Sequence, residues 1–231
     1  MSAQILTLEL PALPVIGAVP LAEQLPVGRL VELARTADGA QMTMAVACVR
    51  QAQVQGEPVA WVQRAGGSLF PPDFADSGID LDALLFVHVP NAHAGSSIAQ
   101  RTAAEHNLAK AAELLLRSGG FGMVVIDLTA VPAADANADC ASPQAKPNGL
   151  ELAVQSRLLG LAREHRCQVL FLSERGSRGG SLGPLISLCI EPKRTRVGRG
   201  EFAVAPHARK DKSGLLCALA VEARRGPWGL L

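Results

Sequence analysis

The sequence predicts an α/β fold: a twisted, mainly parallel sheet with helices on both faces and an antiparallel extension at its C-terminal end. Apolar runs of strand length alternate with segments of helical periodicity up to Ser173, which is typical of parallel βαβ units. From Leu185 onward, strand-like segments follow one another without a helix, which indicates antiparallel pairing. A chain of 231 residues, 48% of them hydrophobic, is long enough to bury the core of one domain.

The elements of this fold are predicted in order from the pattern. Residues 1–27 contain four prolines, which remove backbone donors, so we expect an extended N-terminal arm there. Residues 28–222 form the predicted core domain, and residues 223–231 form a basic C-terminal tail. The predicted parallel strands are Leu30–Ala34, Pro58–Val62, Leu84–His88, Gly122–Asp127 and Gln168–Ser173. The predicted helices are Gln41–Gln55, Ser97–Ser118 and Leu150–His165, and the last three strands are 185–190, 200–205 and 215–222. Loops are expected over residues 64–73, 130–148 and 175–181.

Composition excludes several classes of protein. No apolar run approaches the roughly 20 residues that cross a bilayer, and no basic region precedes an apolar stretch at the N-terminus. We therefore expect a cytoplasmic protein without a membrane partner. The five cysteines are odd in number and never form a C-x-x-C pair. They predict neither a disulfide framework nor a metal site.

Charge is unevenly distributed along the chain. The net charge is −6 up to Glu174 and +7 from Arg175 onward. This asymmetry indicates an anionic partner, an internal docking of opposite charges, or a solvated basic rim. The residues that we expect to bind a partner protein or nucleic acid are Arg175, Arg178, Arg194, Arg196, Arg199, Lys210, Arg224 and Arg225, with Trp228 as an aromatic anchor. Nucleic acid would bind there through its phosphates, and such binding would weaken with salt.

Residues 28–44 have the layout of a phosphate-binding P-loop, with a strand, a loop of small residues and a helix. A working loop needs Gly-x-x-x-x-Gly-Lys-[Ser/Thr], because its glycines, lysine and hydroxyl hold phosphate and Mg²⁺. In the best register these positions are Arg35, Ala40, Gln41 and Met42. The sequence therefore predicts a degenerate nucleotide site in which the strand and helix serve folding. Asp127, at the end of the most apolar strand, is expected to be structural.

Several segments carry a resemblance to the RecA core domain. They are Leu25–Leu33 (the strand entering the P-loop), Met123–Asp127 (the Walker B strand), Gln168–Ser173 and Gly179–Gly180 (the strand and loop that contact DNA). The tail Ala223–Gly229 resembles that of ImuA proteins. The chain thus resembles, over about residues 20–222, the degenerate RecA-like family that contains ImuA and the division inhibitor SulA.

The departures from RecA are as specific as the matches. Gln41 and Met42 replace the Walker A lysine and threonine, and Ala65 stands at the position of the catalytic glutamate. The loss of these groups removes charge neutralisation, metal support and activation of the nucleophile. We therefore expect a pseudo-ATPase with no catalytic residues and no cofactor.

The resemblance implies an interaction protein in SOS-induced mutagenesis and translesion synthesis. Its implied partners are an ImuB-like Y-family polymerase homologue, an error-prone DNA polymerase subunit and RecA, together with DNA through phosphates. Two alternatives remain at this point. One is an ATP-dependent, DNA-binding recombinase paralogue, and the other is a SulA-like inhibitor that binds FtsZ.

Overall fold

Strands and helices follow the apolar pattern of the chain. A computed structural model describes residues 19–35, 39–67, 69, 71–90, 98–129, 150–174, 180–212, 214 and 219–225, and for 98–104 and Arg225 the backbone alone. The strands are β1 (Leu30–Arg35), β2 (Val59–Arg64), β3 (Leu84–Val89), β4 (Met123–Asp127), β5 (Gln168–Glu174), β6 (Ile186–Gly198), β7 (Glu201–Asp211) and β8 (Glu222–Arg225). The helices are α1 (Leu21–Gln24), α2 (Gln41–Val54), α3 (Pro71–Asp76), α4 (Ile98–Ser118) and α5 (Leu152–Glu164).

The described strands form one eight-stranded sheet in the order β3-β2-β4-β5-β1-β6-β7-β8. The strands from β3 to β6 in this order are parallel to their neighbours. β7 and β8 are added in antiparallel fashion at the C-terminal side. The predicted fold class, a mainly parallel α/β sheet with an antiparallel extension, is confirmed.

The core has two layers, one on each face of the sheet. Successive side chains of β1 alternate between them, so that Val31 joins one layer and Leu30 the other. Helix α2 covers the first layer, where Trp61 meets Phe74 edge-on with ring centroids 5.3 Å apart. Helices α4 and α5 cover the second layer around Phe171. Helices thus lie on both faces, as the sequence predicts.

Some elements differ from the predicted ones. Helix α3 occupies part of the expected loop, because Pro71 and Pro72 suit a first helical turn and Phe74 is buried in the core. Strand β6 runs to Gly198 although its second half is exposed, since its ladder to β7 needs no apolar side chains. Strand β8 lies across the predicted boundary at residue 222. The predicted loop 130–148, like most of the predicted arm, lies outside the described residues.

None of the helices in the described ranges combines the length and the hydropathy that a membrane span requires.

Candidate functional site

The carboxyl ends of three neighbouring parallel strands meet at one edge of the sheet. Pairing places Arg35 of β1 opposite Glu174 of β5, and Asp127 of β4 opposite Leu172 of β5. Ligands of open α/β sheets bind at this edge. Of the predicted degenerate site, Arg35 and Asp127 thus lie on the two strands that flank β5, while Ala40, Gln41 and Met42 lie at the start of α2.

Gln41 is the residue that the sequence assigns to the position of the Walker lysine, and its side chain is hydrogen-bonded to the protein backbone. The residue is 5% exposed. Its Nε2 donates to the carbonyl oxygen of Leu33 in β1 at 2.5 Å and to that of Ser173 in β5 at 3.1 Å. The Gln41 amide thus cross-links two parallel strands. It supplies hydrogen bonds but no positive charge for a phosphate.

The neighbouring positions of the loop are also engaged by the protein. The N–H of Ala40, at the second glycine position, donates to the carbonyl oxygen of Pro192 at 3.1 Å. Gly39 forms an antiparallel bridge with Lys193 of β6. Met42 is half-buried and packs against the core beneath α2. At the first glycine position, Arg35 is exposed, and its Nη1 lies 2.5 Å from Oε1 of Glu174.

Asp127 is a buried carboxylate, 5% exposed, held by the residues that follow it. Its Oδ1 accepts hydrogen bonds from the N–H of Thr129 at 2.9 Å and from the Thr129 hydroxyl at 2.5 Å. Burial raises the pKa of Asp127, which the bonds from Thr129 lower again in part, while nearby Glu174 raises it. The carboxyl ends β4 as a structural acceptor.

Gln63 is a buried polar residue that the sequence analysis did not single out. It is 1% exposed, and neither atom of its side-chain amide has a hydrogen-bond partner. Because Val62 pairs with Ile126, Gln63 lies beside Asp127 on the adjacent strand. Its polar side chain directly after the apolar run Val59–Val62 was the signal that could have identified it. Ala65 follows in the turn, half-buried, with its N–H bound to the carbonyl oxygen of Val89 at 2.8 Å.

This donor set does not fit the Mg²⁺–nucleotide group that the P-loop layout implies. The Gln41 amide nitrogen already donates hydrogen bonds to two backbone carbonyls, and the Met42 thioether packs in the core. Oδ1 of Asp127 already accepts a hydrogen bond from the Thr129 hydroxyl. A carboxylate is also missing at Ala65. Among the described residues, no group of three or more His, Cys, Asp or Glu side chains could hold a metal ion.

A second buried carboxylate, Glu32, connects the centre of the sheet to the segment before β6. One of its oxygens accepts the Ser173 hydroxyl at 2.6 Å, and the other accepts the N–H of Leu182 at 2.7 Å. Lys210 reaches the same segment, since its Nζ donates to the Gly183 carbonyl at 2.7 Å and the Ser181 hydroxyl at 3.1 Å. Burial lowers the pKa of Lys210. Lys210 therefore positions residues 181–184.

The remaining basic residues centre on the antiparallel extension. We call the exposed half of β6 (193–198), its partner segment 201–206 of β7, and β8 the basic ribbon. Arg196, Phe202 and Arg224 lie directly opposite one another on its three strands. The Arg194 guanidinium carbon lies 5.1 Å from the centre of the Phe202 ring. Arg199 is exposed in the turn between β6 and β7. Arg175, Arg178, Trp228 and the side chain of Arg225 lie outside the described part of the chain.

Comparisons with known proteins point to one fold. No family model matches the chain. The chain is 29% identical over 162 residues to Protein RecA of Clostridioides difficile (strain 630), which covers 68% of this chain and 42% of that protein. It is 28% identical over 166 residues to Protein RecA of Fusobacterium nucleatum subsp. nucleatum, which covers 69% and 39%. The matches thus span only about two fifths of these curated relatives.

Among solved structures, the crystal structure of the RadB recombinase superposes with a TM-score of 0.51 at 17% identity, covering 87% of this chain and 88% of that one. An identity this low is informative about fold alone. Together with the strand order and the RecA matches, it shows that the chain has a RecA-like fold.

Proposed function

We propose that this chain is a catalytically inactive RecA-like interaction protein in SOS-induced mutagenesis. Its partners would be an ImuB-like Y-family polymerase homologue, an error-prone DNA polymerase subunit and RecA. The single observation that supports inactivity most is the Gln41 amide, which bonds to the Leu33 and Ser173 carbonyls at the position where a P-loop presents its lysine.

The neighbouring residues support the same proposal. A phosphate-binding loop aims several N–H groups at one anion. Here the Ala40 N–H is directed to Pro192 of β6. Phosphoryl transfer also needs metal support and an activated nucleophile. Met42 and Ala65 supply neither of these.

The partner half of the proposal is supported by the fold and by surface charge. The tail sequence Ala223–Gly229 resembles that of ImuA proteins, and the relatives named above are RecA proteins. The exposed arginines of the basic ribbon suit protein contacts, because arginine is enriched among the residues that dominate binding energy.

The inactive site can be tested by titration calorimetry with ATP and Mg²⁺ and by a hydrolysis assay with single-stranded DNA. We expect neither heat of binding nor turnover. Saturable binding with turnover that Asp127→Ala abolishes would overturn the proposal and favour a recombinase paralogue.

The partners can be tested by affinity capture from DNA-damaged cells, with mass spectrometry of what is retained. We expect a Y-family polymerase homologue and an error-prone polymerase subunit. Capture of FtsZ without any polymerase component would instead favour a SulA-like division inhibitor.

A further inference from the structure

Among the described strands, β8 is the last of the sheet, on the side where the basic residues of β6 lie. We propose that this edge binds an extended acidic segment of a partner protein as an additional antiparallel or parallel strand of the basic ribbon. This inference deepens the proposed function by naming the chemistry of the partner, and it rests on the chain acting through protein contacts.

Within the described part of the chain, the backbone of β8 has a strand partner on one side only. Its four residues pair with β7 from Glu201 opposite Arg225 to Val204 opposite Glu222. Val19 pairs with Leu219, ahead of β8, and among the described strands none pairs with the outer side of residues 222–225. An exposed strand edge presents N–H and C=O groups to a second chain, and many domains bind extended peptides in this way.

Side chains on the ribbon specify the charge of that segment. The cross-strand row Arg196, Phe202 and Arg224 lies on one face, because directly opposite residues of antiparallel strands share a face. A strand added to β8 would place one side chain directly opposite Arg224, about 4.8 Å further along the row. A carboxylate at that place would face the guanidinium group of Arg224 with the opposite charge.

The ribbon retains its positive charge at the surface. Arg224 pairs with Glu222, but Lys193, Arg194 and Arg196 are exposed on β6, and the only carboxylate between residues 193 and 201 is Glu201. Arg194 is held over the Phe202 ring, and Nε of Arg196 donates to the Gly198 carbonyl at 3.2 Å. These contacts limit the freedom of two guanidinium groups before any partner binds, which reduces the entropy lost on binding.

The same features favour a peptide over nucleic acid. Single-stranded nucleic acid binds by stacking bases on exposed aromatic rings, whereas Phe202 is half-buried and already covered by Arg194. In addition, Val221, which directly precedes β8, is 39% exposed. This apolar side chain suits the alternate residues of a bound strand.

The test uses the whole chain and fluorescence anisotropy with labelled ten-residue peptides. The probe alternates Val and Glu, a control peptide alternates Val and Lys, and a third probe is the Val-Glu peptide with alternate N-methylated amides. We expect the acidic peptide to bind at least about tenfold more tightly than the basic one, and N-methylation to remove binding because it blocks main-chain pairing.

Matched variants locate the site. Arg196→Glu combined with Arg224→Glu should weaken binding of the acidic peptide at least about tenfold. Arg50→Glu combined with Lys110→Glu makes the same charge change at exposed positions on α2 and α4, and should leave binding unchanged.

Other outcomes would overturn the inference. Equal binding of the N-methylated peptide would show attraction without strand addition, and tighter binding of an oligo-dT strand would show a nucleic-acid surface. Absence of peptide binding while polymerase components are still captured from cells would reject strand addition and leave the proposed function standing.

Discussion

Gln41 shows how a single buried side chain can join two strands at the carboxyl ends of a parallel sheet. The sequence predicts that this residue stands at the lysine position of a P-loop layout. It could not predict the two hydrogen bonds, because the acceptors lie 8 and 132 residues away in the chain. Those bonds join the ends of β1 and β5, so the amide stabilises this end of the sheet.

Replacing Gln41 by alanine should lower the free energy of unfolding by about 2 kcal/mol, since two buried carbonyls lose a donor. Urea denaturation measures this loss. Gln53→Ala is the matched control on the same helix, because its bonds to Asp80 are exposed and water can replace them. Equal losses in the two variants would show that the buried bonds of Gln41 contribute no more than the exposed bonds of Gln53.

Asp127 gives stability a defined dependence on pH. Burial raises its pKa, so the folded protein holds the proton more tightly than the unfolded chain. The stability that this group contributes is therefore fully present below its pKa in the unfolded chain. It is lost as the pH rises through its pKa in the folded protein. Asp127→Asn keeps an oxygen acceptor for Thr129. Because the amide does not ionise, the variant does not lose this stability as the pH rises. We expect the variant to melt at a higher temperature than the wild type at neutral pH, and the gap to close as the pH approaches about 4.

Thermal melts across this pH range, followed by circular dichroism, measure the gap. Asp73→Asn, at an exposed position on α3, is the control. A gap between wild type and Asp127→Asn that stays constant with pH would contradict the assignment.

The parallel strands were predictable because burial on both faces leaves nearly continuous apolar runs, as in Met123–Ile126. The basic ribbon was predictable only in part. The exposed half of β6 has no apolar alternation, and its strand character comes from pairing with β7. Helix α3 was missed because it has six residues and a single buried side chain, Phe74, which gives no readable period.

Glu32 lies in the middle of β1 and connects this strand to β5 and to the segment before β6. It accepts hydrogen bonds from Ser173 of β5 and from Leu182 ahead of β6. Glu32→Ala should destabilise the protein by about 3 kcal/mol, because bonds to a charged acceptor are lost and the Leu182 N–H is left buried without this partner. Glu164→Ala, at an exposed position of α5, should change stability by less than about 0.5 kcal/mol.

Guanidinium denaturation of both variants measures these differences. A loss below about 1 kcal/mol for Glu32→Ala would mean that water replaces both bonds and that the carboxylate does not join the elements.

Across the whole molecule, the chain combines a body of net charge −6 with a C-terminal quarter of +7. Two explanations predict different responses to salt. If the quarter docks on the body through opposite charges, screening should destabilise the fold. If its charge serves a partner, screening should leave the fold intact. Arg209 and Arg224 favour the second explanation, because they pair with Glu191 and Glu222 of the same quarter.

We therefore expect the free energy of unfolding to change by less than about 1 kcal/mol when sodium chloride is raised from about 50 to 500 mM, since exposed ion pairs contribute little. Binding of the alternating Val-Glu peptide should weaken steeply over the same range, because the Debye length falls well below 10 Å. Urea denaturation and anisotropy at each salt concentration measure the two quantities on one preparation. A fall in stability that parallels the loss of binding would assign the charge asymmetry to docking within the chain. Weakened binding at constant stability would assign it to an acidic partner.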